Sequence, residues 1–110
     1  MARGRYGEAR VAQRYVAQGY EVLARNWRAG RSGELDLIVG RGDQVVVCEV
    51  KARASTRYGT PAAAVDWRKQ RRIRQLTAAW LRTAEHGPCR IRFDVAEVVG
   101  AQVRVIEGAF

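Results

Sequence analysis

Two apolar segments joined by a short turn predict a β-hairpin with a defined register near the middle of the chain. Residues 33–38 read Gly-Glu-Leu-Asp-Leu-Ile, and residues 45–53 read Val-Val-Val-Cys-Glu-Val-Lys-Ala-Arg. The Gly-Asp pair at 42–43 suits the centre of a two-residue turn, because glycine readily adopts a positive φ at the first central position. This turn pairs Arg41 with Gln44, and every later pair of the ladder follows from it. The hairpin register is therefore the strongest constraint on the fold.

The predicted register brings acidic side chains together across the hairpin. Asp36 lies opposite Glu49, and Glu34 lies opposite Lys51 on the same face. Carboxylates directly opposite each other in a ladder have Cβ atoms about 4.5–5.5 Å apart and repel. A divalent cation held by both oxygen ligands would offset this repulsion. The structural alternative is an ion-pair network of Glu34 with Lys51 and of Asp36 with a nearby arginine, which leaves the repulsion between Asp36 and Glu49 unexplained.

The composition favours a basic domain with a polyanionic partner. The 110 residues suit one domain, 1–110, with a single hydrophobic core. A formal net charge of +9 indicates nucleic acid as the partner, and the alternative is a basic surface that only confers solubility. No apolar segment approaches the about 20 residues of a membrane span, and no secretory signal is evident. Cys48 is expected to be a small core residue. We therefore expect a cytoplasmic protein without membrane association.

Hydrophobic periodicity and turn residues predict the element order α-β-β-β-α-β-β. This order is typical of an α+β or α/β fold in which helices flank a mixed central sheet. Pro61 after Thr60 suits the first turn of a helix, and Gly19 suits a helix end. The predicted elements besides the hairpin are a helix over Arg5–Gln18, a strand over Glu21–Trp27 with Val22 and Leu23 in the core, a helix from Thr60-Pro61 to about Glu85 with a kink near Trp67, and strands around 91–95 and 103–105.

An acid on one strand followed by Glu-x-Lys on the next resembles the Pro-Asp…Asp/Glu-x-Lys motif of the restriction-endonuclease-like nucleases. Leu35 stands where many members of that superfamily have proline, but the carboxylate of Asp36 follows regardless. Within the superfamily the chain most resembles the bacterial YraN family, and it is also similar to archaeal Holliday-junction resolvases. The resemblance implies an αβββαβ core. The segments that carry it are Gly7-Glu8, Gly19-Tyr20, 33–38, 48–53, Tyr58-Gly59, Lys69 and Arg92-Phe93-Asp94-Val95.

The resemblance also implies a metal site that binds Mg²⁺ or Mn²⁺. Asp36 and Glu49 would ligate the ion together with the backbone carbonyl of Val50, and Lys51 would orient the attacking water or stabilise charge in the transition state. Glu8 lies at the edge of the apolar stripe of the first helix. It would complete the metal site, as the first-helix glutamate does in similar junction-cleaving enzymes. The alternative for Glu8 is a first-turn glutamate favoured by the helix dipole.

Basic residues after the hairpin are candidates for nucleic-acid binding. Lys69 leads the apolar stripe of the second helix, so it would approach the phosphate or the acids, or else lie at the surface with its ammonium in solvent. Tyr58 could stack on a base, and the arginines could form a phosphate-binding rim or a solvated helix face. Asp94 is predicted to be a structural ion-pair partner. The predicted nucleic-acid-binding set is Arg53, Arg57, Tyr58, Arg68, Lys69, Arg71 and Arg72.

These features together predict a metal-dependent endonuclease that acts on nucleic acid in repair or recombination, with DNA as the favoured substrate. Branched DNA is included as a substrate by analogy with the junction resolvases. The second hypothesis is a non-catalytic nucleic-acid-binding module on a nuclease scaffold, and the third is a protein-interaction domain whose charge serves solubility. The sequence contains no nucleophile triad, glycine-rich phosphate loop or zinc-ligand spacing. A homodimer is expected, because one active site per chain cuts two strands most simply as a symmetric pair.

Overall fold

The computed structural model of the chain describes residues 2–53 and 65–110, apart from the side chains of residues 2–5. The elements follow one another in the predicted order α-β-β-β-α-β-β. Within the described ranges, no helix is long and apolar enough to cross a membrane. The elements are α1 (Ala2–Ala17), β1 (Glu21–Arg28), β2 (Glu34–Arg41), β3 (Gln44–Arg53), α2 (Trp67–Thr83), β4 (Arg90–Val99) and β5 (Gln102–Ile106).

The strands form one mixed sheet in the order β1-β2-β3-β4-β5. Strands β3 and β4 run parallel, whereas the other neighbouring pairs are antiparallel. Parallel neighbours need a crossover connection, and α2 lies within the connection from β3 to β4. The fold is therefore α+β with a mixed central sheet, as predicted, and it is consistent with the restriction-endonuclease-like αβββαβ core.

The central hairpin has the predicted register. Arg41 pairs with Gln44, and the ladder continues to Leu37 opposite Cys48. Gly42 has a φ of +60°, which is the conformation that the first central position of this turn requires. The register that sets Asp36 and Glu49 on neighbouring strands is thereby confirmed.

The two helices cover opposite faces of the sheet. Val11 and Tyr15 of α1 pack with Cys48 on one face, which confirms Cys48 as a core residue. Ile73 and Trp80 of α2 pack on the other face. Because both faces are covered, the central strands are apolar along much of their length rather than alternating. Glu49 follows Cys48 in β3, so its side chain lies on the α2 face.

Helix α2 differs from its predicted bounds. It spans Trp67–Thr83, and Asp66 is its N-cap, with a side-chain oxygen that accepts a hydrogen bond of 2.9 Å from the backbone N–H of Lys69. The predicted kink near Trp67 is therefore the start of the helix, because Asp66 satisfies one of the free N–H groups of the first turn. The predicted start at 60–61 lies outside the described residues.

Strand β1 contains an irregularity that overturns one core prediction. The register with β2 shifts between Val22 and Ala24, so Leu23 lies at a bulge and its side chain is 42% exposed. Leu23 covers Gly40 instead, where an added Cβ would come within 2.9 Å of its Cδ1 atom. Val22 is partly buried against the α1 core, as predicted.

Candidate active site

Beyond the last backbone pair of β2 and β3, a side-chain hydrogen bond links the two strands at the position of the predicted acids. The backbone pairs run as far as Leu37 and Cys48. Beyond them, the N–H of Val50 donates a hydrogen bond of 2.9 Å to a carboxylate oxygen of Asp36. Glu34 forms an ion pair of 3.0 Å with Arg28 of β1, so the predicted alternative that paired Glu34 with Lys51 is not the observed arrangement.

Asp36 and Glu49 meet at this opening, on the α2 face of the sheet. Glu49 is only 7% exposed, and its carboxyl group lies beside that of Asp36. Burial raises the pKa of Glu49 to about 9, and the adjacent Asp36 contributes to the same shift. Ionised carboxylates are acceptors only, so two that lie side by side need a proton or a cation between them. The two acids therefore occupy a position that favours either a proton or a cation between them.

Two lysines lie beside the acid pair. Lys51 follows on the same face of β3, and Lys69 extends from the first turn of α2. Their side chains contact each other, and the positive charges of both oppose the rise in the pKa of Glu49. Burial lowers the pKa of Lys51, and the neighbouring Lys69 adds to this effect. Of the alternatives for Lys69, the structure therefore shows the one in which it approaches the acids.

Glu8 of α1 lies within electrostatic reach of the hairpin acids. Burial raises the pKa of Glu8, and a hydrogen bond from Asn26 opposes this shift, while the negative charges of Asp36 and Glu34 add to it. The Asn26 amide donates this hydrogen bond over 3.0 Å. The first helix thus presents its glutamate to the same end of the hairpin, which is the placement that a third metal ligand would need.

The donor set for a metal ion is partial in this conformation. Among residues 2–53 and 65–110, no group of three or more His, Cys, Asp or Glu side chains is arranged to hold a metal ion. Asp36 and Glu49 offer hard oxygen donors, which Mg²⁺ and Mn²⁺ prefer. Mg²⁺ usually keeps several waters and binds through one or two carboxylates. The acid pair therefore fits such an ion, with the Val50 carbonyl and Glu8 as further predicted ligands.

Asn26 contributes to this region without having been predicted from the sequence. Its φ of +49° makes it the single positive-φ residue other than glycine in the described part of the chain. Asparagine tolerates this left-handed conformation better than most residues. The available signal was an asparagine within a strand, where this residue is uncommon. The residue that adopts this left-handed conformation is the one whose amide donates the hydrogen bond to Glu8.

Glu97 of β4 is a second residue that the sequence analysis missed. It is fully buried and lies beside Lys51 in the parallel register. Among the described residues, neither of its carboxylate oxygens has a hydrogen-bond partner, although Nε of Arg53 lies 3.6 Å away. The available signal was an acid between Val95 and Val99 on an otherwise apolar face. Arg53, predicted to bind nucleic acid, is thus partly engaged by a buried acid.

The predicted nucleic-acid-binding residues fall in different places. Lys69 belongs to the acid cluster, and Arg53 lies beside Glu97. Arg57 and Tyr58 lie outside the described residues. The remaining three are exposed on α2, and they are Arg68, Arg71 and Arg72.

Asp94 belongs to a structural network on the other face of the sheet. It is fully buried and accepts a hydrogen bond of 2.6 Å from the Tyr15 hydroxyl. It also accepts two bonds from the Arg92 guanidinium, at 2.9 and 3.0 Å, and one from the N–H of Gly108. This arrangement confirms the prediction that Asp94 is a structural ion-pair partner.

Comparison with known proteins yields relatives that align along most of the chain. The sequence profile of Uncharacterised protein family UPF0102 matches residues 7–98, a segment that contains both Glu8 and Glu97. A UPF0102 protein of Frankia casuarinae is 48% identical, with 99% of this chain and 96% of the relative covered. A relative in Rhodococcus opacus is 46% identical over 90% of this chain and 83% of its own. A relative in Streptomyces coelicolor is 45% identical over 89% of this chain and 76% of its own.

Proposed function

Because the chain belongs to family UPF0102, the YraN family that its motifs resemble, we propose from the geometry of its site that it is a metal-dependent nuclease. The observation that carries this proposal is the contact between the carboxyl groups of Asp36 and Glu49 in a largely buried position. Burying two adjacent acids is costly unless a proton or a cation compensates. The adjacent Lys51 and Lys69 supply positive charge for a phosphate group that approaches the same position.

The residues of the site have separate tasks in phosphodiester hydrolysis. Asp36 and Glu49 would hold Mg²⁺ or Mn²⁺, with the carbonyl of Val50 as a further donor. When bound, the ion supplies Lewis-acid stabilisation of the phosphoryl oxygens and lowers the pKa of a coordinated water. Lys51 donates hydrogen bonds to the attacking water or to a phosphoryl oxygen, where preorganised donors stabilise developing charge. Lys69 neutralises the phosphate from the side of α2.

Glu8 and Asn26 bring α1 and β1 into the same site. Glu8 would add a carboxylate to the ligand set from the opposite side of the hairpin opening. Its hydrogen bond with Asn26 keeps the carboxylate oriented towards that position, and such outer contacts commonly fix the geometry of metal ligands. The catalytic set of the proposal is therefore Asp36, Glu49, Lys51 and Glu8.

The proposed substrate is DNA, including branched DNA, and the proposed setting is repair or recombination in the cytoplasm. The net charge of +9 favours a polyanionic substrate, and exposed arginines of α2 lie on the same face as the acids. The preference for branched DNA rests on the resemblance to junction resolvases. The proposal includes a homodimer, since a symmetric pair places one site on each strand of a duplex.

A cleavage panel tests the proposed function directly. Labelled single-stranded, duplex, flap and four-way-junction DNA, together with RNA, is incubated with Mg²⁺, Mn²⁺ or EDTA, with the Lys51→Ala variant in parallel. We expect cleavage that depends on the metal and is lost in the variant. The absence of cleavage on every substrate, with metal present and binding retained, would refute the nuclease function.

A second candidate function is a non-catalytic nucleic-acid-binding module. The observation that favours it is the partial donor set, because no three acidic, His or Cys side chains of the described ranges are arranged to hold a metal ion. This candidate predicts binding that weakens steeply with salt and no turnover with any metal. The same cleavage panel separates the two functions.

A further inference from the structure

A groove runs between α2 and the turn that joins β1 to β2. The cavity has a volume of about 310 Å³ and lies on the α2 side of the sheet. The turn is closed by a hydrogen bond of 3.3 Å from the N–H of Ser32 to the carbonyl of Ala29. The groove is lined by Ala29, Ser32, Arg72, Gln75, Leu76, Ala79 and Arg82.

The lining of this groove is complementary to a sugar–phosphate chain. Arg72 and Arg82 are its charged residues, and none of its lining residues is acidic. Within the described ranges, neither guanidinium forms an ion pair or a hydrogen bond with another residue. Ala79, which is partly exposed between the arginines, provides an apolar contact against which a sugar ring can pack. Guanidinium groups are well suited to bind phosphate oxygens.

The spacing of the two arginines favours a polymer over a single phosphate ion. Ten residues separate Arg72 from Arg82 along α2, which corresponds to about 15 Å of helix axis. One strand of a duplex advances about 3.4 Å along its axis per phosphate. The two helix positions are therefore spaced to serve several consecutive phosphates rather than one anion.

The groove begins beside the acid cluster. A Cβ atom at Gly33 would lie 3.3 Å from Cδ of Arg72, so the arginine stem rests on the residue that precedes β2. Glu34, the next residue, is already paired with Arg28. Arg72 is thus placed between the groove and the strand that carries Asp36.

We propose that this groove binds the sugar–phosphate backbone of the substrate strand on one side of the scissile phosphate. Arg72 and Arg82 contact phosphates, and Ser32 and Gln75 add hydrogen bonds to the backbone. This inference rests on the proposed nuclease function, which supplies the position of the scissile phosphate. Because the contacts reach only the backbone, the groove positions the substrate without reading its sequence.

Binding measurements with single-residue variants test the groove. Fluorescein-labelled duplex and single-stranded DNA of two unrelated sequences are titrated in EDTA, at several salt concentrations, with Arg72→Ala, Arg82→Ala and the double variant. The matched control is Arg14→Ala, which removes the same charge from the exposed side of α1 on the opposite face. Alanine favours helix, so the variants are expected to fold, and circular dichroism verifies this.

We expect each groove variant to weaken binding about fivefold at low salt, equally for both sequences. The slope of log affinity against log salt should fall by about one for each arginine removed. Arg14→Ala should change the slope less than either groove variant. A double variant whose affinity and slope equal those of the Arg14→Ala control would overturn the groove assignment.

A second assay keeps the groove separate from the nuclease proposal. Wild-type protein with Mn²⁺ is assayed on bis(4-nitrophenyl) phosphate, a diester too small to reach from the acid cluster along the groove. Hydrolysis of this compound combined with unchanged DNA binding in the groove variants overturns the groove alone. If DNA binding weakens in those variants but no diester is hydrolysed, the nuclease function is overturned. The groove then remains a DNA-binding site, and its proposed position beside a scissile phosphate is refuted.

Discussion

Asp94 and Glu49 are buried carboxyl groups on neighbouring strands of one sheet, yet their surroundings are opposite. Asp94 faces α1 and accepts hydrogen bonds from Tyr15, Arg92 and a backbone N–H. Glu49 faces α2, and its carboxyl group lies beside that of Asp36, which contributes to its raised pKa. Buried acids that stabilise a fold are satisfied by donors, whereas a pair of acids in contact leaves a position for a cation. The comparison separates a structural acid from a functional one.

The largest expected effect is the loss of cleavage in Asp36→Asn. Removing one of two carboxylate ligands should lower the metal-dependent cleavage rate by about 10³-fold or more, which corresponds to about 4 kcal/mol. The measurement is single-turnover cleavage of the best substrate from the panel, together with calorimetric titration of Mn²⁺. Metal affinity equal to that of the wild type would contradict the assignment of Asp36.

Asp94→Asn should leave metal binding intact and destabilise the fold. The substitution removes the buried carboxylate partner of Arg92, which keeps its 3.4 Å ion pair with the exposed Glu107, and it disturbs the short bond from Tyr15. We expect the free energy of unfolding to fall by about 3 kcal/mol, measured by urea denaturation. If Asp36→Asn proved equally destabilising without metal, the contrast between the two acids would fail.

Added metal should stabilise the protein through the hairpin acids. Mn²⁺ at 100 times its dissociation constant is expected to raise the free energy of unfolding by about 2.7 kcal/mol, since it binds the folded state. Asp36→Asn should show no such rise, while Asp94→Asn should show it in full. The readout is the urea midpoint with Mn²⁺ or EDTA, and a rise retained in Asp36→Asn would place the ion elsewhere.

The pH dependence of stability should carry the signature of Glu49. Its folded-state pKa is raised from 4.5 to about 9, so the folded state binds the proton more tightly than the unfolded state does. Stability of the metal-free protein is therefore expected to fall as the pH rises from 4.5 towards 9. Glu49→Gln should flatten this dependence. If the stability of the wild type and of Glu49→Gln changed with pH by the same amount in EDTA, the result would count against a raised pKa at this position.

The smallest effect is expected at the other buried acid of β4. Glu97 has no hydrogen bond with the described part of the chain, and its ion pair with Arg53 has a length of 3.6 Å. Glu97→Gln should therefore change the free energy of unfolding by less than about 1 kcal/mol, in contrast to Asp94→Asn. A loss of stability as large as that of Asp94→Asn, in the same urea assay, would show that Glu97 is as well satisfied as Asp94.

Much of the candidate site could be predicted because it lies within one hairpin. The turn at Gly42 determines the pairing, and strand alternation then places Asp36, Glu49 and Lys51 on one face. The start of α2 at Trp67 was predicted only as a kink, since the capping role of Asp66 was not recognised in the sequence. The exposure of Leu23 was also missed, because a bulge breaks the period-two pattern on which its burial was predicted.

By itself, the sequence determined the element order, the hairpin register and the acid pair, because each depends on the spacing of nearby residues. The tertiary structure alone decided which distant groups meet that pair. Lys69 reaches Glu49 because α2 crosses between parallel strands, and Asn26 reaches Glu8 because β1 adds to the edge of the hairpin. Glu97 stands beside Lys51 only through the pairing of β3 with β4. Such contacts join residues far apart in the chain, where no local periodicity specifies the partner.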